Sequence, residues 1–211
     1  SVKCFDQHYA LELTLLYPPA EDEPPQQPEE LRCAGGFRAL RGDWASDGGL
    51  PDQEGVQVVR FTGETDVDDG AFWGNQSLME LLDVNRIEDI HFGAFRYCRS
   101  LTKVGDLSAL KTIGRCAFED TRLAKLGDMA ALITIGERAF RGTPLTEVGD
   151  LSALKTIGKL AFAGTPLTQL GDMKNLTTIG NNAFADAQLT QLGDLSALKT
   201  IRDMAFLRTP L

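Results

Sequence analysis

Six aspartates recur at nearly equal spacing and are the residues of this chain that most resemble a site for chemistry. If residues at this spacing stack, their carboxylates form a row able to bind cations or basic ligands. We favour a structural role, in which each Asp caps the turn that follows it by accepting backbone N–H bonds. Carboxylates that work as an acid–base pair need two unlike environments, and a column of identical positions offers one. The column consists of Asp83, Asp106, Asp128, Asp150, Asp172 and Asp194.

The rest of the sequence offers little catalytic or metal-binding chemistry. It contains no H-E-x-x-H, no G-x-S-x-G and no phosphate-binding glycine loop. Cys4, His8 and Cys33 come nearest to a set of metal ligands, but their spacing is incomplete for zinc. We therefore predict a protein that is not an enzyme and that has neither a metal site nor a cofactor.

Charge and hydropathy argue against two classes of partner. The 211 residues carry 21 basic and 30 acidic side chains, a net charge of −9, which disfavours nucleic acid and anionic membranes. The apolar residues never form the run of about 18 that a membrane helix needs, so we predict no membrane insertion. Residues 1–54 hold 4 basic and 11 acidic side chains, so most of the net charge lies in this N-terminal part.

An internal repeat positions these residues. The dipeptide Ala-Phe recurs every 22 or 23 residues, and a constant frame of Leu, Val and Ile recurs around it. A unit this short cannot bury its apolar face alone, so stacking of units into a solenoid is the expected solution. The repeated phenylalanines are Phe72, Phe95, Phe118, Phe140, Phe162, Phe184 and Phe206.

Each unit is expected to contain three short pieces. The Leu-x-x-Val segment, as in Leu145 to Val148, predicts a strand that ends close to a glycine. The Gly-x-x-Ala-Phe segment, as in Gly158 to Phe162, predicts a single helical turn on the opposite side. Between them, apolar residues three apart, as in Leu154 and Ile157, predict a second turn or 3₁₀ piece rather than a strand.

With the frame Leu145-x-x-Val148, Leu154, Ile157-Gly158 and Ala161-Phe162, the chain resembles the BspA-type leucine-rich repeats of bacterial and protist surface proteins. The resemblance covers about residues 55–211 and implies a right-handed α/β leucine-rich-repeat solenoid of about seven units. It also implies an extracellular or cell-surface location, with an organelle or an intracellular assembly as the alternative. The sequence departs from the family at the final Cys of the unit, which is kept at Cys98 and is elsewhere mostly Thr.

In leucine-rich repeats the strand positions face the concave side, so two columns are candidates for contact with a partner. A glycine column reflects either a backbone that needs positive φ or a bulge, or a groove free of side chains. A variable polar column beside it is our best candidate for specificity, although solvated strand positions explain it equally well. The glycines are Gly105, Gly127, Gly149, Gly171 and Gly193, and the variable column is Glu80, Lys103, Lys125, Glu147, Gln169 and Gln191.

The two ends of the chain differ from the repeats. Residues 1–54 are predicted to form an N-terminal cap with an acidic, proline-rich loop at about residues 18–30. A Cys4–Cys33 disulfide that staples this cap is favoured only if the protein is exported, as the resemblance implies; two buried thiols are the alternative. No polar capping segment follows the last repeat, so we expect either a longer natural chain or a partner on that end.

These observations favour a non-catalytic protein-interaction module that acts in recognition or adhesion through the concave face. The alternative is a structural subunit of a larger assembly whose partner covers the open C-terminal end. In either case the partner is a protein.

Overall fold

The structure, a computed structural model, describes residues 55–211 throughout and, before them, the backbone of three strands. These strands are β1 (Val2–Asp6), β2 (Tyr9–Leu13) and β3 (Glu30–Cys33). β1 and β2 pair antiparallel, with Cys4 opposite Leu11. β3 pairs in parallel with β4 (Val58–Phe61), so the first sheet of the solenoid begins at Glu30.

One face of the solenoid is a continuous parallel sheet of seven two-residue strands, which we call the Thr-Ile sheet. The sequence predicted a turn or 3₁₀ piece for the segment that ends in Thr-Ile. Its first half does form a turn, closed by a hydrogen bond from the Leu154 N–H to the Leu151 carbonyl, but the prediction is wrong for Thr-Ile itself. Thr and Ile are β-branched and suit a strand, but a strand of two residues is too short to show alternation. The strands are β5 (Asp66–Val67), β7 (Asp89–Ile90), β9 (Thr112–Ile113), β11 (Thr134–Ile135), β13 (Thr156–Ile157), β14 (Thr178–Ile179) and β15 (Thr200–Ile201).

The second face, the Leu-x-x-Val face, is an interrupted parallel sheet. β3, β4, β6 (Glu80–Leu82) and β8 (Lys103–Val104) form one block. β10 (Lys125–Leu126) and β12 (Glu147–Val148) form the next. A single bridge joins Gln169 to Gln191 further along the chain. Within residues 55–211 no ladder pair joins β8 to β10 or Val148 to Leu170, so this face is divided into a block of four strands followed by two associated pairs.

The third side, which we call the turn face, is built from the Gly-x-x-Ala-Phe segments. These segments form hydrogen-bonded turns instead of the predicted helical turn. In each of them two residues have positive φ, for example Leu160 at 57° and Gly164 at 71°. Three N–H groups of one turn donate to carbonyls of the next turn, as from Phe140 to Ala161 at 2.8 Å. Bonds that run between turns satisfy backbone groups that a helix would satisfy within itself.

The repeated phenylalanines stack along the centre of the solenoid. Successive ring centroids lie 5.3–5.5 Å apart, and the ring planes are within 15° of parallel. Phe72 to Phe184 are fully buried, and the Leu and Ile of every unit surround them in one contiguous core. The predicted solenoid of about seven 22-residue turns is therefore confirmed. We number its turns 1 to 7 by these phenylalanines, from Phe72 to Phe206.

A two-turn period is superimposed on the single repeat. The segment Gly-Asp-Leu-Ser-Ala-Leu-Lys occurs without change at residues 105–111, 149–155 and 193–199, at 44-residue intervals. Between these copies the corresponding segments begin Gly-Asp-Met, at Gly127 and Gly171. From β10 onward the interruptions of the Leu-x-x-Val face follow the same alternation, so on this face the later turns are grouped in pairs.

Candidate interaction face

The variable column lies along the Leu-x-x-Val face, one residue to a turn. Its register sets Glu80 opposite Lys103 and Lys125 opposite Glu147, and a bridge joins Gln169 to Gln191. Each associated pair of turns therefore places complementary or identical residues side by side, which favours the pairing. Across the first interruption the two lysines follow one another, so positive charge is concentrated there.

The Lys125–Glu147 pair is the best-defined contact of the column. Lys125 Nζ lies 2.8 Å from Glu147 Oε2, and the two side chains are 72% and 63% exposed. The hydrogen bond from this lysine to Glu147 raises the pKa of Lys125. Both groups are well solvated, so the pair contributes little to stability and leaves its charges available to a partner. Lys103 is also exposed, and it has no ion-pair partner among the described residues.

The glycine column differs from its predicted form. None of its five members has positive φ within the described part of the chain, so left-handed backbone does not explain them. A Cβ on Gly149 would lie 2.5 Å from Asp128 Oδ1, and one on Gly193 would lie 2.5 Å from the carbonyl carbon of Gly171. Close approach of paired turns therefore requires glycine at these two positions.

Gly127 and Gly171 occupy the opposite environment. No described atom lies within 4 Å of a Cβ built on either residue, and each follows an interruption of the ladder. At the second interruption a shallow groove of about 320 Å³ opens to solvent. Its lining consists of Thr146, Glu147, Val148, Gln169, Leu170 and Gly171. The groove thus brings two members of the variable column and one of the glycines into one surface.

The aspartate column also alternates between two environments. The Oδ1 atoms of Asp106, Asp150 and Asp194 accept the N–H of the serine two residues later, at 2.7–2.8 Å. Asp128 and Asp172 instead accept the backbone N–H of the aspartate in the following turn, at 2.9 and 3.0 Å. Asp83 differs from all of these, since it has positive φ and forms an ion pair with Arg60.

Metal-binding and nucleophilic groups contribute no further site among the described residues. Residues 55–211 contain no cluster of three His, Cys, Asp or Glu side chains placed to hold a metal ion. Cys98 and Cys116 are buried free thiols. Burial raises the pKa of Cys98 to about 12, and its Sγ donates to the Phe72 carbonyl at 2.8 Å. Later turns place Thr at this position, where the hydroxyl of Thr143 donates to Phe140.

Several N-terminal candidates from the sequence fall outside what the structure describes. Cys4 lies in β1 and Cys33 in β3, but their side chains are outside the described part. His8 and most of the acidic, proline-rich segment at about 18–30 are also outside it. The disulfide, the cap and the loop therefore stay predictions.

The sequence analysis missed the pairing of turns, which separates the two kinds of glycine and the two kinds of aspartate. A signal for it exists, because the exact Gly-Asp-Leu-Ser-Ala-Leu-Lys copies are 44 residues apart. The more obvious 22-residue period concealed this signal.

A stack of short parallel strands and turns around one phenylalanine column defines the class as a leucine-rich-repeat solenoid. The family model for the BspA type leucine rich repeat region matches residues 65–190 in six copies, and the chain belongs to that family. The resemblance predicted from the Ile-Gly-x-x-Ala-Phe frame is thereby confirmed. Membership implies a protein-interaction or surface repeat module.

Two solved structures share the fold. A leucine-rich repeat protein from Bacteroides ovatus is 18% identical with a TM-score of 0.51, over 65% of this chain and 45% of that one. A leucine rich cell surface protein from Faecalibacterium prausnitzii is 21% identical with a TM-score of 0.53, over 66% of this chain and 39% of that one. This chain therefore spans less than half of either. No curated protein gives a significant match. In the described part, no helix has the length and hydropathy to span a bilayer.

Proposed function

We propose that the chain is a non-catalytic recognition module that binds a protein partner through the variable column of the Leu-x-x-Val face. The observation that carries the proposal is a row of exposed residues that change from turn to turn within an otherwise constant unit. The core positions and the aspartate column keep their residue types, because they hold the solenoid together. Specificity is most easily encoded where the structure tolerates change.

The groove beside Glu147 and Gln169 supports the same surface. Gly171 leaves room for a partner's backbone, while the half-buried Val148 adds apolar surface beside the polar side chains. A rigid repeat array that presents mixed polar and apolar groups along one face has the character of a protein-binding surface. The Faecalibacterium prausnitzii structure is described as a cell surface protein, and we include a surface location for this chain in the proposal.

Capture experiments with matched variants test this proposal. The full chain is immobilised and exposed to protein extracts of the organism that makes it and of that organism's habitat. Bound proteins are identified, and the affinity of the chain for each of them is measured. We expect Lys103→Glu, and the exchange Lys125→Glu with Glu147→Lys, to weaken a specific partner about tenfold. The exchange keeps the ion pair but reverses which of the two turns carries the positive charge. Both variants should melt within a degree or two of the wild type, because all three side chains are solvent-accessible.

The control is Lys155→Glu, an exposed lysine that lies outside the variable column and has no ion pair among the described residues. Its partner affinity should match the wild type. A partner bound equally well by wild type, Lys103→Glu and the exchanged pair would place recognition on another surface.

A further inference from the structure

An arginine–aromatic cluster lies on the turn face of turns 1 and 2, away from the variable column. Within residues 55–211, Trp73, Phe92 and Tyr97 are the aromatic side chains outside the phenylalanine core. The Trp73 ring lies 5.8 Å from Phe92 and 6.1 Å from Tyr97, in edge-to-face contact with both. Phe92 is 39% exposed, so the cluster presents apolar surface to solvent.

Arg96 organises the cluster. Its guanidinium carbon lies 4.7 Å from the Trp73 ring centre and 4.5 Å from that of Tyr97, and it donates to the Tyr97 hydroxyl at 2.8 Å. Its Nε lies 2.7 Å from Oε2 of Glu119, a carboxylate that is only 1% exposed. Arg96 is thus ion-paired within the protein to a carboxylate that it shares with Arg141, and the stacked guanidinium holds the two rings in place.

The backbone is adapted to Trp73. A Cβ on Gly93 would lie 2.9 Å from the indole ring. Gly93 has positive φ, but Cys116, Arg138 and Leu160 occupy the same position in later turns with equally positive φ. The backbone conformation alone therefore does not require glycine at position 93. The closeness of the Trp73 indole ring does.

The fold itself does not need these aromatic residues. The position of Trp73 holds Ala163 and Ala185 in turns 5 and 6, and the position of Phe92 holds Lys159 and Asn181. The phenylalanine stack is unchanged there, at 5.3–5.4 Å between rings. An exposed Phe92 beside half-buried Trp73 and Tyr97, none of them required by the packing, is typical of a binding hot spot.

Two further arginines give the cluster its charge. Arg99 lies 6.0 Å from the Tyr97 ring and Arg115 lies 5.9 Å from the Phe92 ring, one over each outer ring of the cluster. Arg115 is 56% exposed, and its nearest carboxylate, on Glu137, is 3.9 Å away. Arg99 is exposed and has no ion-pair partner in the described part of the chain. Arg99 can therefore receive an acidic group from outside, and so can Arg115, whose ion pair with Glu137 is long and solvent-exposed.

We propose that this cluster binds an acidic, proline-rich segment of a partner protein. Proline rings pack on exposed aromatic rings such as that of Phe92, and an extended proline-rich chain loses little entropy on binding. Carboxylates on such a segment would pair with Arg99 and Arg115 in bidentate geometry. Residues 18–30 of this chain, with five prolines and five acidic residues, show the composition required.

Fluorescence anisotropy tests the proposal with a labelled peptide that has the sequence of residues 18–30. The affinity of the peptide is measured for two proteins. The first is the full chain, and the second is the full chain with Glu21→Gln, Asp22→Asn and Glu23→Gln. In the second protein the chain's own acidic segment competes less with the peptide. We expect saturable binding at least to the second protein, weakening as salt rises. Peptides with all acidic residues amidated, or with all prolines replaced by alanine, should each bind about tenfold more weakly.

Variants of the cluster locate the site. Phe92→Asn, which introduces the residue of turn 6, and Arg99→Glu with Arg115→Glu should each raise the peptide Kd about tenfold or more. Lys159→Glu is the matched control, since Lys159 holds the position of Arg115 two turns away, and it should leave the Kd unchanged. Absence of binding to both proteins, or equal Kd values for cluster and control variants, would overturn the proposal. Binding of a neutral oligosaccharide in place of the peptide would overturn it as well.

Discussion

Asp150 forms two hydrogen bonds that join one turn to itself and to its neighbour. Its carboxylate accepts the N–H of Ser152 at 2.7 Å, and its own backbone N–H donates to the Asp128 carboxylate at 2.9 Å. The first bond caps a turn, and the second links two turns of one pair. Asp128 and Asp150 hold the same position in successive repeats, but they therefore stabilise different features.

Replacement of these two aspartates should lower stability by similar amounts for different reasons. We expect Asp150→Ala and Asp128→Ala each to reduce the free energy of unfolding by about 0.5–2 kcal/mol, as measured by urea denaturation. Lys155→Ala is the control, with no expected change. A neutral Asp150→Ala would instead favour the alternative that the column serves a ligand.

Glycines at two sets of positions show how the elements fit together. In the column that follows the Thr-Ile strands, a Cβ on Gly158 would lie 2.6 Å from the carbonyl carbon of Gly136 and 2.7 Å from the backbone N of Glu137. Backbone atoms cannot move aside as the end of a side chain can. Gly171, in contrast, faces open space within the described structure. Both residues lie beside short strands, and the distance to the neighbouring turn distinguishes them.

Alanine at these two positions should have opposite effects. Gly158→Ala forces the Thr-Ile sheet apart, and we expect a loss of about 2 kcal/mol or more in the free energy of unfolding. Gly171→Ala should be neutral or stabilising by up to about 1 kcal/mol, because alanine restricts the unfolded chain. Thermal and urea denaturation of the two variants provide the measurement. Equal destabilisation by both would contradict the packing described here.

The sequence predicted the solenoid and its period correctly because Leu, Ile and Phe must recur wherever a stacked core recurs. It failed at elements whose geometry depends on the neighbouring turn. Two-residue strands at Thr156–Ile157 exist through pairing and have no pattern of their own. Leu160 adopts positive φ, which leucine on its own avoids, because its N–H donates to Asn181 in the next turn and its carbonyl accepts the N–H of Ala163 in its own turn. The cluster around Trp73 was likewise hidden, since its residues lie in different repeats.

Residues 55–211 form an array in which each turn contacts its neighbours through the phenylalanine stack and the backbone bonds between turns. Stability in such an array is a sum of terms for the turns and for their interfaces. Phe140 lies near the middle, at 5.5 Å from Phe118 and 5.3 Å from Phe162. It is therefore the point at which the two halves can be uncoupled.

Phe140→Ala should cost about 3–5 kcal/mol and divide the unfolding of the chain into two transitions. Urea denaturation followed by circular dichroism should show two steps, or one broad step with a lower m value. The partly exposed Ile133, replaced by alanine, is the control and should leave a single transition near the wild-type midpoint. A single sharp transition in Phe140→Ala, merely shifted to lower urea, would mean that the turns unfold as one unit.

The pairing of turns also determines how such a chain can change length. Gly149 fits against Asp128 because odd and even turns differ, so removal of 22 residues would bring two turns of the same kind together. Removal or duplication of 44 residues keeps the alternation of the two kinds of turn. Gene duplication can therefore lengthen this solenoid in steps of two turns, each step adding one copy of Gly-Asp-Leu-Ser-Ala-Leu-Lys and one more pair of residues to the variable column.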